Sequence, residues 1–98
     1  MEKRTPHTQL SVVKAHIESG KVRITKTALV TSGQIGCYYD DILEVISRLE
    51  RKDFYKSMTA YSDGTIWHEV YRPNTKFGNL YLKLIVIDDL LVVSFKEK

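Results

Sequence analysis

A lysine stands in the middle of an otherwise mostly aromatic and apolar stretch, Asp53-Phe54-Tyr55-Lys56-Ser57-Met58-Thr59, and a lysine there asks for a chemical reason. Further along come His68, Arg72, Tyr81, Lys83 and Lys96. These residue types suit attack on a phosphodiester. A lysine or arginine stabilises the negative charge that builds on a pentavalent phosphate. A histidine titrates near working pH and can take or give a proton. A tyrosine can donate a hydrogen bond, stack on a base, or act as acid or base where its pKa is tuned. RNA carries its own nucleophile, the 2′-hydroxyl, so such a site requires no metal, no cofactor and no protein nucleophile.

Two hairpins would have to bring these groups into line. Phe54–Tyr61 and Thr65–Tyr71 read as strands joined at Ser62-Asp63-Gly64. A three-residue loop with Gly64 in the left-handed conformation sets Met58 opposite His68 and Lys56 opposite Val70. Asn79–Ile87 and Leu90–Lys96 read as strands joined at Asp88-Asp89. A two-residue loop there sets Ile87 opposite Leu90, Ile85 opposite Val92, Lys83 opposite Ser94 and Tyr81 opposite Lys96. Side chains alternate across a sheet, so Leu80, Leu82, Leu84, Val86, Leu91, Val93 and Phe95 fall on the other side and form a surface for helices to cover. Tyr81 and Lys96 then meet on the face away from the helices.

The helices precede the sheet. Leu10, Val13 and Ile17 share a helical face between a cap at Thr8 and a stop at Gly20. Val22-Arg23-Ile24 is a short extended piece. Thr25 or Thr27 caps a second helix through Ala28, Leu29 and Val30. Asp40 caps a third, whose Ile42, Val45, Ile46 and Leu49 make one apolar stripe. Helices first and an antiparallel sheet afterwards is an α+β pattern.

Composition sets wider bounds. The 98 residues suit one domain, and a hydrophobic share of 43% can fill a core without disulfide staples. The single Cys37 forms no internal disulfide and leaves no cysteine zinc site, which suits a reducing cytoplasm. The start shows no signal-peptide pattern and no apolar run is long enough to span a membrane. Net charge is +3, with Lys3, Arg4, Lys14, Lys21, Arg23 and Lys26 crowding the first 26 residues, a quarter that could touch phosphate. Ordinary readings stand beside the chemical ones. Lys56 and His68 fit an exposed strand face, Tyr81–Lys96 is a common cross-strand pair, and Asp88-Asp89 fits a turn. His7 and His16 lack metal-ligand spacing.

Several long blocks, taken together, resemble the MqsR-type mRNA interferase toxins of MqsR/MqsA toxin–antitoxin pairs, in the RelE-like superfamily. The blocks are Met1–Thr8, Asp53–Thr59, Tyr61-Ser62-Asp63, Thr65-Ile66-Trp67, Val70-Tyr71-Arg72-Pro73, Tyr81-Leu82-Lys83-Leu84 and Val93–Lys98. The resemblance implies a RelE-like α+β domain over residues 1–98, with short helices on one face of a mainly antiparallel sheet. It implies a metal-independent endoribonuclease that cuts mRNA at short GC-containing sequences. It also implies a cognate zinc-binding antitoxin of MqsA type, through which alone the toxin would reach operator DNA. Family members use residues matching Lys56, Tyr81 and Lys96 in activity, whereas their glutamine is replaced here by His68. The resemblance thus gives Lys56, His68, Tyr81 and Lys96 as catalytic candidates and Tyr55, Met58, Arg72 and Lys83 as RNA contacts. A non-catalytic nucleic-acid module and an antitoxin-binding protein of the same fold are the alternatives.

Overall fold

The computed structural model describes residues 1–98. The apolar stripes become three helices: α1 (Leu10–Ser19), α2 (Lys26–Gln34) and α3 (Tyr39–Ser47). Val13, Ala28, Ile42 and Ile46 are fully buried, as the helical spacing requires. Gly20 ends α1 at φ 73°, a left-handed stop that glycine adopts without strain. Two caps differ from expectation. Gln9, not Thr8, precedes α1 and makes no side-chain cap bond. Tyr38, not Asp40, precedes α3, and its backbone N–H donates to Asp41 Oδ2 at 2.9 Å. Asp40 and Asp41 sit in the first turn, where carboxylates complement the helix dipole.

The strands are β1 (Glu2–Lys3), β2 (Val22–Ile24), β3 (Phe54–Thr59), β4 (Trp67–Tyr71), β5 (Asn74–Thr75), β6 (Gly78–Ile87) and β7 (Asp89–Glu97). A 3-10 turn over Arg51–Asp53 delivers the chain from α3 into β3. The sheet order is β1-β3-β4-β6-β7-β2, with β5 hairpinned onto the start of β6. Only β2 runs parallel to its neighbour, β7. The architecture is therefore α+β with a mainly antiparallel sheet.

The first hairpin keeps the expected register but not the expected turn. Met58 pairs with His68 and Lys56 with Val70. The strands stop earlier, however, at Thr59 and Trp67, and Gly64 does not adopt positive φ. Asp63 organises the connection instead. Its Oδ1 accepts from Thr65 N at 2.9 Å and from Thr65 Oγ1 at 2.6 Å, while Ala60 N donates to Ile66 O at 2.8 Å.

The last hairpin follows expectation only at its open end. Tyr81 pairs with Lys96 and Lys83 with Ser94. Nearer the turn the register slips by one residue: Ile85 pairs with Leu91 and Val86 with Leu90, and Asp88 turns the chain at φ 60°. Val93 is the extra residue of the resulting bulge, between the Leu84–Val92 and Lys83–Ser94 pairs. The Val93 carbonyl accepts the Thr25 hydroxyl at 3.0 Å, and the same hydroxyl oxygen accepts from Ala28 N at 3.1 Å at the start of α2. One threonine thus caps a helix and satisfies the bulge. The slip sends Leu90 and Val92 into the core in place of Leu91 and Val93.

The core lies between the helices and one face of the sheet. It joins Val13, Ile42, Ile46 and Leu49 to Tyr71, Leu80, Leu82, Leu84, Leu90, Val92 and Phe95. If the bulge sets these faces, Leu90→Ala should cost about 2–5 kcal/mol. Leu91→Ala should cost about 1 kcal/mol or less, because its side chain is only partly buried. Urea unfolding of the two variants checks this, and equal losses would contradict the register.

Candidate active site

Alternation along β3, β4, β6 and β7 sorts the polar residues by face. Ser57, Glu69 and Leu84 form one cross-strand row on the helix side. The next row, Lys56–Val70–Lys83–Ser94, points the other way. Beside it lie Met58–His68 on one flank and Tyr81–Lys96 on the other. Strand β4, between β3 and β6, is what joins the two hairpins into a single polar face. Val70 is fully buried yet stands outside the helix-side core cluster. Its cross-strand neighbours are Lys56 and Lys83, whose aliphatic stems can cover it while their ammonium groups stay wet.

Local irregularity sharpens the grouping. A bulge between Phe54 and Lys56 breaks the alternation of β3 and lets the adjacent Tyr55 and Lys56 reach one cluster. Lys56 Nζ lies 5.2 Å from the Tyr55 ring centroid and Arg72 Cζ 4.4 Å from it. Lys96 Nζ and Lys83 Nζ lie 5.6 Å and 5.9 Å from the Tyr81 ring centroid. Four cations therefore surround two tyrosines. All eight residues singled out from the sequence fall on this face: Lys56, His68, Tyr81 and Lys96, with Tyr55, Met58, Arg72 and Lys83.

Two residues joined to this face were missed. Glu2 Oε1 forms an ion pair with Lys56 Nζ at 2.6 Å, and Arg4 Cζ lies 4.9 Å from the Tyr55 ring centroid. Both arrive through β1, which returns to pair Glu2 with Met58 and Lys3 with Ser57. The available signal was the basic start of the chain. The rest of that basic quarter does not join them: Lys21 and Arg23 lie at β2, the opposite edge of the sheet.

The titration of these groups follows from their surroundings. The hydrogen bond from Lys56 to Glu2 raises the lysine pKa against the opposing effect of its partial burial, with Tyr55 and Tyr81 adding smaller contributions. Lys56 therefore holds its charge at neutral pH and is a cation rather than a base. Burial depresses the His68 pKa below its ordinary value, and the Lys83 charge adds to this. His68 is neutral at pH 7, and its Nδ1 is buried without a protein partner. Burial raises the Cys37 thiol to about 11 and the Tyr71 phenol to about 12, so neither ionises near neutrality. Cys37 is on the core side, away from this face. What the face offers is fixed positive charge, with a neutral imidazole on one flank of the Lys56–Val70–Lys83–Ser94 row and the Tyr81 phenol on the other.

Comparison with known proteins agrees with the blocks read from the sequence. Residues 5–97 match the family model described as "Motility quorum-sensing regulator, toxin of MqsA". The mRNA interferase toxin MqsR of Escherichia coli (strain K12) is 55% identical over 98 residues, covering all of both chains. With the family model and a full-length relative in agreement, the chain belongs to the MqsR family of toxins.

Proposed function

We propose that this protein is the toxin of a type II toxin–antitoxin system and a metal-independent mRNA endoribonuclease, with its active site on the helix-free face of the sheet. The observation that carries the reading is the imbalance of charge. Lys56, Arg72, Lys83 and Lys96 crowd Tyr55 and Tyr81, and among them only Lys56 has a carboxylate partner. Like charges held together cost free energy unless an anion joins them, and a phosphodiester chain is such an anion. The mRNA interferase activity in the name of the Escherichia coli relative fits this chemistry.

In this reading Lys56 and Lys96 hold the scissile phosphate and neutralise the charge that develops on it. Neutral His68 accepts the 2′-hydroxyl proton as the 2′-oxygen bonds to phosphorus. The bond from phosphorus to the 5′-oxygen breaks, and that oxygen takes its proton from the Tyr81 hydroxyl, which stands among Lys56, Lys83 and Lys96. The products carry a 2′,3′-cyclic phosphate and a 5′-hydroxyl. Arg72, Lys83 and Met58 line the path of the strand. The glutamine that the family resemblance implies at this position could only hydrogen-bond, whereas His68 can also move a proton. The fold belongs with the RelE-like superfamily as one domain over residues 1–98, acting in the cytoplasm on short GC-containing sites. The family description as toxin of MqsA supports a cognate antitoxin. That partner binds zinc in its N-terminal domain and operator DNA in its C-terminal part.

Purified protein should cut mRNA in excess EDTA and leave cyclic-phosphate ends, and Lys56→Ala should lower the rate by about 10²-fold or more. Binding without cleavage would make the protein a nucleic-acid module instead. The pH profile tests His68 separately. A base with a depressed pKa works above that pKa, so kcat/KM should fall on an acid limb lying below the ordinary histidine range. His68→Gln should remove that limb, and Lys83→Ala should move it to higher pH by taking away a repelling charge. Full activity with an unchanged profile in His68→Gln would refute the base assignment.

A further inference from the structure

Arg4 stands on an exposed stretch of chain, yet its position is fixed from both sides. On one side β1 pairs Glu2 with Met58 and Lys3 with Ser57. On the other, His7 N donates to Ser57 Oγ and to Glu69 Oε1, both at 3.0 Å. Ser57 Oγ donates to the same Glu69 oxygen at 2.7 Å, and both of these side chains are fully buried. The His7 ring stacks on Trp67 at 5.0 Å and 13° between planes, and Lys3 Nζ lies 4.4 Å from the Trp67 ring centroid. A buried carboxylate thus anchors the segment from the core side; Glu2, opposite Met58, faces the active side, and Arg4, just past β1, reaches the same side over the Tyr55 ring.

There Arg4 meets an odd arrangement. Its guanidinium lies 4.9 Å from the Tyr55 ring centroid, that of Arg72 lies 4.4 Å away, and Lys56 Nζ 5.2 Å. Lys56 has Glu2; neither arginine has a carboxylate. The side-chain hydrogen bond of Arg4 is a long one, 3.4 Å from Nη1 to Tyr55 O. Two guanidinium groups are gathered on one ring and neither is ion-paired, although the Arg4 charge also lowers the pKa of Glu2; their N–H forks are of the kind that bind phosphate. With cations gathered about its ring, Tyr55 serves as their platform rather than as a surface for stacking a base.

We infer that Arg4 and Arg72, assembled on Tyr55, form a second anion subsite that holds a backbone phosphate of single-stranded RNA neighbouring the scissile one. This deepens the proposed ribonuclease reading and rests on it. The N-terminal segment is then part of the substrate groove, and the buried Glu69–Ser57–His7 contact is a positioning device for Arg4.

A single-stranded oligoribonucleotide made uncleavable by 2′-O-methyl groups is the probe, titrated over a range of salt concentrations. Loss of one phosphate contact should flatten the dependence of log K on log[salt] by about 0.7. Arg4→Ala should show that change, with about ten-fold weaker binding at low salt. On cleavable RNA it should raise KM while leaving kcat near wild type. Arg4→Lys should restore the salt slope but not the full affinity, since an ammonium lacks the fork. A second arm uses one neutral methylphosphonate walked along the strand. At one position it should weaken wild-type binding and leave Arg4→Ala unchanged. If the wild-type protein binds RNA but Arg4→Ala keeps its affinity and salt slope, the subsite is overturned alone. If the wild-type protein neither binds nor cleaves RNA, the ribonuclease reading falls and the subsite with it.

Discussion

A sheet has two faces, and this chain gives its helices to only one of them. That constraint orders the rest of the molecule. Leu80, Leu82, Leu84 and Phe95 are buried against α1, α2 and α3, so the residues beside them in each strand must face away. Those residues are Tyr81, Lys83, Ser94 and Lys96. The drive to bury one side of β6 and β7 therefore dictates where the polar groups of the other side stand. Repacking the core by a register shift would scatter the face, because a shift of one residue turns every side chain over.

How much of this was legible in the sequence depended on how far each feature reaches along the chain. The pairing of Met58 with His68 and of Tyr81 with Lys96 follows from local hairpins and alternation, so both could be read. The bulge at Val93 could not, because its carbonyl is satisfied by the hydroxyl of Thr25, 68 residues away in the chain. Leu90 and Val92 were assigned to the wrong face for that reason. The bulge before Lys56 was equally hidden, and it is what lets Tyr55 join its neighbour. Glu2 and Arg4 escaped because β1 finds β3 across more than fifty residues, and two residues of strand carry no periodicity. The first hairpin is an instructive case of a right register from a wrong turn. Gly64 suggested the loop, while Asp63 and Thr65 hold it.

The electrostatics of the face separate roles that residue types alone leave mixed. Lys56 is tied to Glu2 and keeps its proton, so its contribution is charge. His68 is kept neutral by burial and by Lys83, so its contribution is a lone pair. Cationic Lys83 thus favours the neutral form of its histidine neighbour, while Lys56 keeps its own charge through Glu2. Glu2 already occupies the Lys56 ammonium at 2.6 Å, so any further anion at that lysine must share it with the carboxylate or displace it.

The claim that matters most is that RNA lies on the helix-free face. Its most direct test is to follow amide and side-chain NMR signals of isotopically labelled protein during titration with an uncleavable 2′-O-methyl RNA. The structure predicts that the largest changes fall on Lys56, Met58, His68, Arg72, Tyr81, Lys83 and Lys96, with the exposed residues of α1, α2 and α3 unmoved. Changes centred on the helices, with the Lys56 and Tyr81 signals in place, would contradict it.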